Sequence, residues 1–154
     1  MPTTNIERFD QACGLIFAHL FDRFPQRTMI RSEDIEAVFK ASEQEHEDWL
    51  SQYVSREAFF GSTMTWLIDA GYIWCAAGQD NNFQTIFTQC VLTPKALEAL
   101  KVTPTSLSTG SLGESLKEAA KSGALDAAKD LANQVISKGW NIATTAAMSV
   151  LSQA

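Results

Sequence analysis

Apolar side chains recur at steps of three and four residues over the first part of the chain, which predicts an amphipathic helix. The residues of this stripe are Ile6, Phe9, Cys13, Ile16, Phe17, Leu20, Phe21 and Phe24. Pro25 ends the helix, and a short extended segment over residues 28–30 follows. A second helix then begins, with Ser32 as its predicted N-cap and with Glu33 and Asp34 in the first turn, where acids complement the positive helix end.

A third helix is predicted between Ser55, its N-cap, and Gly71, which ends it. With Phe60 at the centre of its buried face, steps of about 100° per residue turn four residues to the opposite side. These four residues are Ala58, Ser62, Thr65 and Asp69. Phe59 and Trp66 fall together on one flank. Either other elements cover these two rings, or the rings form an exposed aromatic patch of the kind that anchors protein interfaces.

A separate helical turn over residues 49–54 precedes this helix, and a two-stranded ribbon follows it. Strands are predicted over residues 72–75 and 85–92, on either side of a polar turn over residues 78–82. Pro94 then begins a short fourth helix. The resulting order of helix, short strand, helix, helix, ribbon and helix predicts a mainly α fold.

Residues 102–110 are rich in Thr, Ser and Pro, and this composition predicts a linker. The linker separates a domain over residues 5–101 from a helical region over residues 111–152. Ser111 and Glu114 match a capping box at the start of that second region.

Alanine recurs at every fourth position within the predicted C-terminal helix, which Gly123 and Gly139 weaken. The alanines are Ala120, Ala124, Ala128 and Ala132. Such a strip is smooth enough for another helix to approach closely. We therefore expect Ala124 and Ala128 to lie in the seam of an oligomer.

The last apolar segment covers residues 140–151 and begins at Trp140. It has no Lys or Arg after Lys138, whereas helices that lie on membrane surfaces usually carry basic residues on their polar face. The charge-free run over residues 139–154 is also shorter than the ~20 apolar residues that span a bilayer. Pairing with another copy of the chain or docking on the same chain is the favoured interpretation.

The composition favours an acidic globular protein. The 154 residues are 45% hydrophobic, which excludes disorder of the whole chain, and the formal net charge is −6. Residues 1–101 carry all of this net charge, with 14 Asp and Glu against 8 Lys and Arg. Such a balance opposes a polyanion at long range, because neutralisation of phosphates supplies most of the affinity for nucleic acid.

The chain has three cysteines, Cys13, Cys75 and Cys90, without CxxC spacing. This pattern favours buried, reduced thiols and a reducing compartment. No basic region followed by an apolar run stands near Met1, so no secretory signal is predicted. A cytoplasmic protein without a membrane span is expected.

Catalytic and metal-binding chemistry has little basis in the two histidines. His46 lies in an acidic connector over residues 43–48, but one acidic run does not ensure ligands that converge on a point, and a solvated connector is the simpler interpretation. His19 lies at the edge of the first apolar stripe and is interpreted as a structural histidine. Because no nucleophile is paired with a base, we predict neither an enzyme nor a cofactor.

The stretches Trp66–Ile73 and Val91–Leu100 resemble two recurring parts of MarR-like and PadR-like regulators, which belong to the winged-helix superfamily. The resemblance covers residues 5–101. It implies a dimer that reads duplex DNA, with the third helix in the major groove and the ribbon, or wing, on phosphates or in the minor groove. The residues implied to face DNA are Ser55, Arg56, Ala58, Ser62, Thr65 and Asp69, with Gln79, Asn81 and Asn82 at the tip of the wing.

The chain departs from that pattern because Arg56 is the only cation among these positions, and Asp69 would face phosphates. Our first hypothesis is therefore a non-enzymatic module for protein interaction and assembly on a winged-helix scaffold. It would present either Phe59 and Trp66 or the acidic connector to a partner. The alternative is a dimeric DNA-binding transcriptional regulator, in which other cations supply the phosphate contacts. These cations are Arg27, Arg31, Lys95 and Lys101.

Overall fold

A computed structural model describes residues 3–40, 48–81, 84–101 and 110–153, with the backbone alone for residues 77–81 and 84. The described chain is mainly helical with a small antiparallel sheet, which confirms the predicted mainly α class. The elements are α1 (Asn5–Arg23), β1 (Thr28–Arg31), a 3-10 turn (Ser32–Ile35), α2 (Ala37–Lys40), α3 (Trp49–Asp69), β2 (Ile73–Asn81), β3 (Gln84–Leu92), α4 (Pro94–Lys101), α5 (Leu112–Ser122) and α6 (Leu125–Ser152). Outside the described residues lie most of the acidic connector, residue Asn82 of the predicted wing tip and residues 102–109 of the predicted linker.

Three element boundaries differ from the predicted ones. α3 begins at Trp49, so the turn over residues 49–54 and the helix after Ser55 are one continuous helix, which no Gly or Pro interrupts at that junction. β2 extends to Asn81 and takes in most of the predicted polar turn. The helix expected after residue 111 is divided at Gly123, whose left-handed φ of 70° ends α5.

The segment after β1 also differs from its prediction, because it begins as a 3-10 turn rather than an α-helix. Arg31, not Ser32, is its N-cap residue. The backbone N–H of Arg31 donates to the carboxylate of Asp34 at 2.8 Å. The Ser32 hydroxyl is instead directed away from the turn and donates to Glu57.

The three strands form an antiparallel sheet in the order β1-β3-β2. Thr28 pairs with Cys90 and Ile30 pairs with Phe87. The interval between these two pairs is therefore three residues on β3 but two residues on β1. This irregularity is a β-bulge, and Gln89 within it has a left-handed φ of 56°.

The expectation of three reduced thiols is wrong for two of them, because Cys75 on β2 and Cys90 on β3 form a disulfide. Their Cα atoms are 4.1 Å apart across the two paired strands. Cys13 is free and buried, and burial raises the pKa of its thiol. The cysteine pattern therefore no longer supports a reducing compartment.

The hydrophobic core surrounds α1, which packs against α3, α5 and α6. Both predicted regions contribute to this one core: Phe17 and Met64 come from the first region, and Leu116 and Val135 come from the second. Tyr72, at the start of β2, also reaches α6, where its hydroxyl donates to the Ile136 carbonyl at 2.6 Å. None of the described helices is both long and apolar enough to cross a membrane.

The alanine strip is not an exposed seam, and the expectation for Ala128 is wrong. Ala128 is 0% exposed and lies in the monomer core, where α6 crosses α1 at Gly14. A Cβ atom at Gly14 would lie 2.5 Å from the Ala128 carbonyl oxygen. Ala124 is exposed at the turn between α5 and α6, outside this contact. The small residues thus serve close packing of two helices within one chain.

We predict that Gly14→Ala lowers the free energy of unfolding by about 1–3 kcal/mol, because the new methyl group has no room against the backbone of α6. Urea denaturation measures the change. Gly61→Ala is the matched control: Gly61 also lies within a helix, but a Cβ there would be 3.5 Å from Thr85 Cγ2, an ordinary contact. The control variant should be as stable as the original or gain up to about 1 kcal/mol. Equal stability of the two variants would contradict the close contact.

Candidate functional site

A groove of about 800 Å³ separates the outer face of α3 from β3. α3 buries Phe60, Met64 and Leu67 against the core, and this orientation turns its polar side toward the groove. The lining residues are Glu57, Ala58, Gly61, Ser62, Thr65, Trp66, Asp69, Thr85 and Phe87. The structure thus places Ser62 and Thr65 where the sequence predicted them, on the exposed side of the helix.

Glu57 fixes the position of α3 against the rest of the molecule. Its side chain is 7% exposed and accepts a hydrogen bond from the Ser32 hydroxyl through Oε1. Its Oε2 accepts from the backbone N–H of Thr85, at the start of β3, at 2.8 Å. One buried carboxylate therefore links α3 to the 3-10 turn and to the sheet, beside the groove that it helps to line. No local sequence pattern marks Glu57 for this role, because Ser32 and Thr85 are distant from it in the chain.

The two aromatic candidates on α3 have different environments. Phe59 is half-buried, and its ring packs at 88° against the ring of Phe39, with 5.7 Å between the centroids. The ring of Trp66 packs edge-on with the ring of Phe9, with 5.1 Å between the centroids, and lies parallel to the ring of Tyr72, with 6.3 Å between the centroids. Even so, 43% of Trp66 is exposed. The two side chains therefore do not form one exposed patch. Of the two, Trp66 lines the groove and Phe59 does not.

Lys95 and Arg56, two candidates for contacts to phosphate, are held by neighbouring groups. The Lys95 ammonium donates to the Ala70 carbonyl and lies 4.1 Å from the centroid of the Tyr72 ring, and burial lowers its pKa. The Arg56 guanidinium lies over the ring of Tyr53 at 5.1 Å, and its Nε is 3.9 Å from the Glu57 carboxylate.

Arg27 precedes β1, and Arg31 is its last residue. Arg27 Nη1 donates to the Gln89 carbonyl at the bulge, at 3.1 Å, and Arg31 Nε contacts Met29 Sδ at 3.1 Å. Of the described residues that line the groove, none is Lys or Arg. Arg27, Arg31, Arg56 and Lys95 are therefore held by neighbouring groups. Lys101, the fifth candidate, is exposed at the end of α4 and does not line the groove either.

The second exposed feature is the end of α6. This helix leaves the core after Gly139, which packs against the ring of Tyr72. Trp140 is 70% exposed and Leu151 is 75% exposed, and Ile142 is the last residue that packs against the core. Docking of this segment on its own chain, one of the two favoured interpretations, is therefore wrong beyond Ile142.

The histidine that the structure describes has a structural environment. His19 Nδ1 lies 3.8 Å from the Asp34 carboxylate, and burial, the largest influence, lowers its pKa. Within the described part of the chain, no group of three or more His, Cys, Asp or Glu side chains could hold a metal ion. His46 lies outside the described residues.

Comparison with known proteins gives no relative, because no protein-family model, curated protein or solved structure matches this chain.

We predict that Glu57→Ala lowers the free energy of unfolding by about 2–4 kcal/mol, because the Ser32 hydroxyl and the Thr85 N–H both lose this acceptor. Glu98→Ala is the matched control, since Glu98 is an exposed glutamate on α4. It should change the stability by less than about 0.5 kcal/mol. Urea denaturation of both variants makes the comparison, and a similar small loss in each would refute the linking role of Glu57.

Proposed function

We propose that this protein is a non-enzymatic module for protein interaction and assembly, built on a winged-helix scaffold. The observation that carries the proposal is the exposed, uncharged end of α6. We propose that this helix end pairs with the same segment of a second copy of the chain.

The winged-helix assignment is supported by the element order and by the sheet. α1, β1, α2 and α3 precede the hairpin of β2 and β3, and β3 lies between the other two strands. The two stretches that resemble MarR-like and PadR-like regulators surround this hairpin. They include the exit from α3, ending at Gly71, and the start of α4 at Pro94.

The end of α6 has an apolar stripe on one side. At steps of about 100° per residue, Trp140, Ala147 and Leu151 fall within about 20° of one line along the helix. Met148 and Val150 flank this line, and both are exposed. Thr144 also falls on this side, about 40° from Trp140. The opposite side carries Thr145 and Ser149, together with Ile142, which packs against the core. An exposed apolar stripe of this kind is stabilised when a partner covers it.

A second copy fits the stripe because residues 139–154 carry no charge. Two such helices can pair in either direction without repulsion between like charges. A membrane surface fits less well, since interfacial helices usually carry Lys or Arg on their polar face. The segment after Gly139 is only about 20 Å long, so the pair buries little area and a weak dimer is expected, with a Kd of about 10–100 μM.

The alternative, a dimeric DNA-binding regulator, has less support. A DNA reader holds phosphates with Lys, Arg and backbone N–H groups. Here Arg27, Arg56 and Lys95 are engaged by a carbonyl, a carboxylate or an aromatic ring. The face of α3 that would enter the major groove carries Asp69 and lies beside Glu57.

We predict that Ala147→Glu abolishes self-association, because two glutamates would meet in the centre of the paired stripes. Sedimentation velocity between about 5 and 500 μM should show the original protein shifting from monomer toward dimer, while this variant remains a monomer. Thr145→Glu is the matched control, because it adds the same charge to an exposed residue on the opposite side of the same helix.

The control should dimerise with a Kd within about threefold of the original. If the original protein stays monomeric over the whole concentration range, or if both variants dissociate equally, the apolar stripe is not the site of self-association.

A further inference from the structure

The groove between α3 and β3 carries negative charge only, among the side chains that line it. The Asp69 carboxylate is exposed, and no hydrogen bond or ion pair engages it within the described residues. Glu57 also lines the groove, but both of its oxygens are hydrogen-bonded, and Arg56 Nε, 3.9 Å from Oε1, offsets its charge. Asp69 is therefore the carboxylate available for direct contact.

Trp66 provides an aromatic surface next to this carboxylate. Trp66 and Asp69 are three residues apart on α3, so their side chains are neighbours on the helix surface. Tyr72 lies parallel to the indole ring and Phe9 contacts it, which hold the ring in place while 43% of the residue stays exposed. A fixed and partly exposed indole is a suitable surface for a cation.

We infer that this groove binds an arginine side chain in an extended segment of a partner protein. A guanidinium group is planar and always charged, so it can stack on the Trp66 indole while it pairs with the Asp69 carboxylate. The partial negative charge at the C-terminus of α3 contributes little, because the Lys95 ammonium is bound to the Ala70 carbonyl there. Lys95 itself does not line the groove.

The size of the groove indicates a peptide rather than a single small cation. A volume of about 800 Å³ accommodates several residues in addition to one side chain. Ser62 and Thr65 are exposed along the same wall and can hydrogen-bond to a peptide backbone. β3 is the central strand of the sheet, so the peptide is held by side chains and does not extend the sheet.

The partner's chemistry follows from complementarity of charge. The chain has a net charge of −6, which attracts a basic segment and repels a nucleic acid. The inference deepens the proposed function, since it names a kind of protein partner. It does not depend on self-association, because the groove lies on α3 and β3 and the apolar stripe lies on α6.

The experiment titrates three capped hexapeptides that differ at one position: one has Arg, one has Lys, and one has citrulline, the neutral analogue of Arg. Two-dimensional ¹⁵N NMR of the full chain follows the indole N–H signals of its four Trp residues, and the spectrum of Trp66→Phe identifies the signal of Trp66. The Arg peptide should shift the Trp66 signal and leave those of Trp49, Trp74 and Trp140 in place. The Lys peptide should bind several-fold more weakly, and the citrulline peptide at least tenfold more weakly.

Two substitutions test the carboxylate. Asp69→Asn removes the charge without a change in volume and should weaken binding of the Arg peptide at least fivefold. Asp130→Asn is the matched control, because Asp130 is an exposed aspartate on α6, away from the groove, and its affinity should stay within about twofold of the original. Dispersed ¹⁵N NMR spectra of the two variants would establish that both are folded.

Three outcomes would overturn the inference. They are the absence of a shift at Trp66 with millimolar Arg peptide, equal binding of the Arg and citrulline peptides, and equal loss of affinity in the Asp69 and Asp130 variants. A random-sequence DNA duplex is titrated in parallel. If the duplex shifts the Trp66 signal with an affinity that falls steeply as salt rises, the groove binds nucleic acid, and the DNA-binding regulator is favoured over a peptide-binding module.

Discussion

The close contact between α1 and α6 is the constraint on which the rest of the structure depends. Gly14 and Ala128 have so little bulk that the two backbones meet, and this contact places α6 in the core. The hydroxyl of Tyr72 then bonds to α6 at Ile136, which fixes β2 relative to the same helix. α6 continues as one helix past Gly139. Its uncharged end therefore extends beyond the residues that pack against the core. The exposed apolar stripe is thus a consequence of how the core is packed.

The chemistry of α3 follows from a second contact, in which Glu57 joins the helix to the 3-10 turn and to β3. Beside that contact lies a groove lined by Trp66 and Asp69, with no Lys or Arg among the lining residues that the structure describes. An exposed indole beside a carboxylate is the combination that suits an arginine side chain. The two partners that we propose, a second copy at α6 and a basic segment at α3, are both proteins.

Local patterns predicted much of the fold, and contacts distant in sequence account for what they missed. The helix of α1 and the helix start at Pro94 depend on neighbouring residues, and both predictions are confirmed. The two ends of the α1 stripe, Ile6 and Phe24, are nevertheless exposed. In the sequence, Glu57 is indistinguishable from a solvated acid. Its buried role depends on hydrogen bonds from Ser32 and Thr85, which are distant in the chain. The disulfide between Cys75 and Cys90 depends on a strand register that a bulge shifts. The alanine strip correctly indicates a close helix approach, but periodicity cannot tell whether the second helix belongs to the same chain.

The most direct test of the account is amide hydrogen exchange in α6 at two protein concentrations. At about 5 μM, the amides of residues 141–152 should exchange at least tenfold faster than those of residues 128–138, which lie in the core segment of the helix. At about 500 μM, residues 141–152 should become protected while residues 128–138 remain unchanged. Full protection of residues 141–152 in the dilute protein would mean that this segment is covered by its own chain. No gain in protection at high concentration would contradict pairing with a second copy.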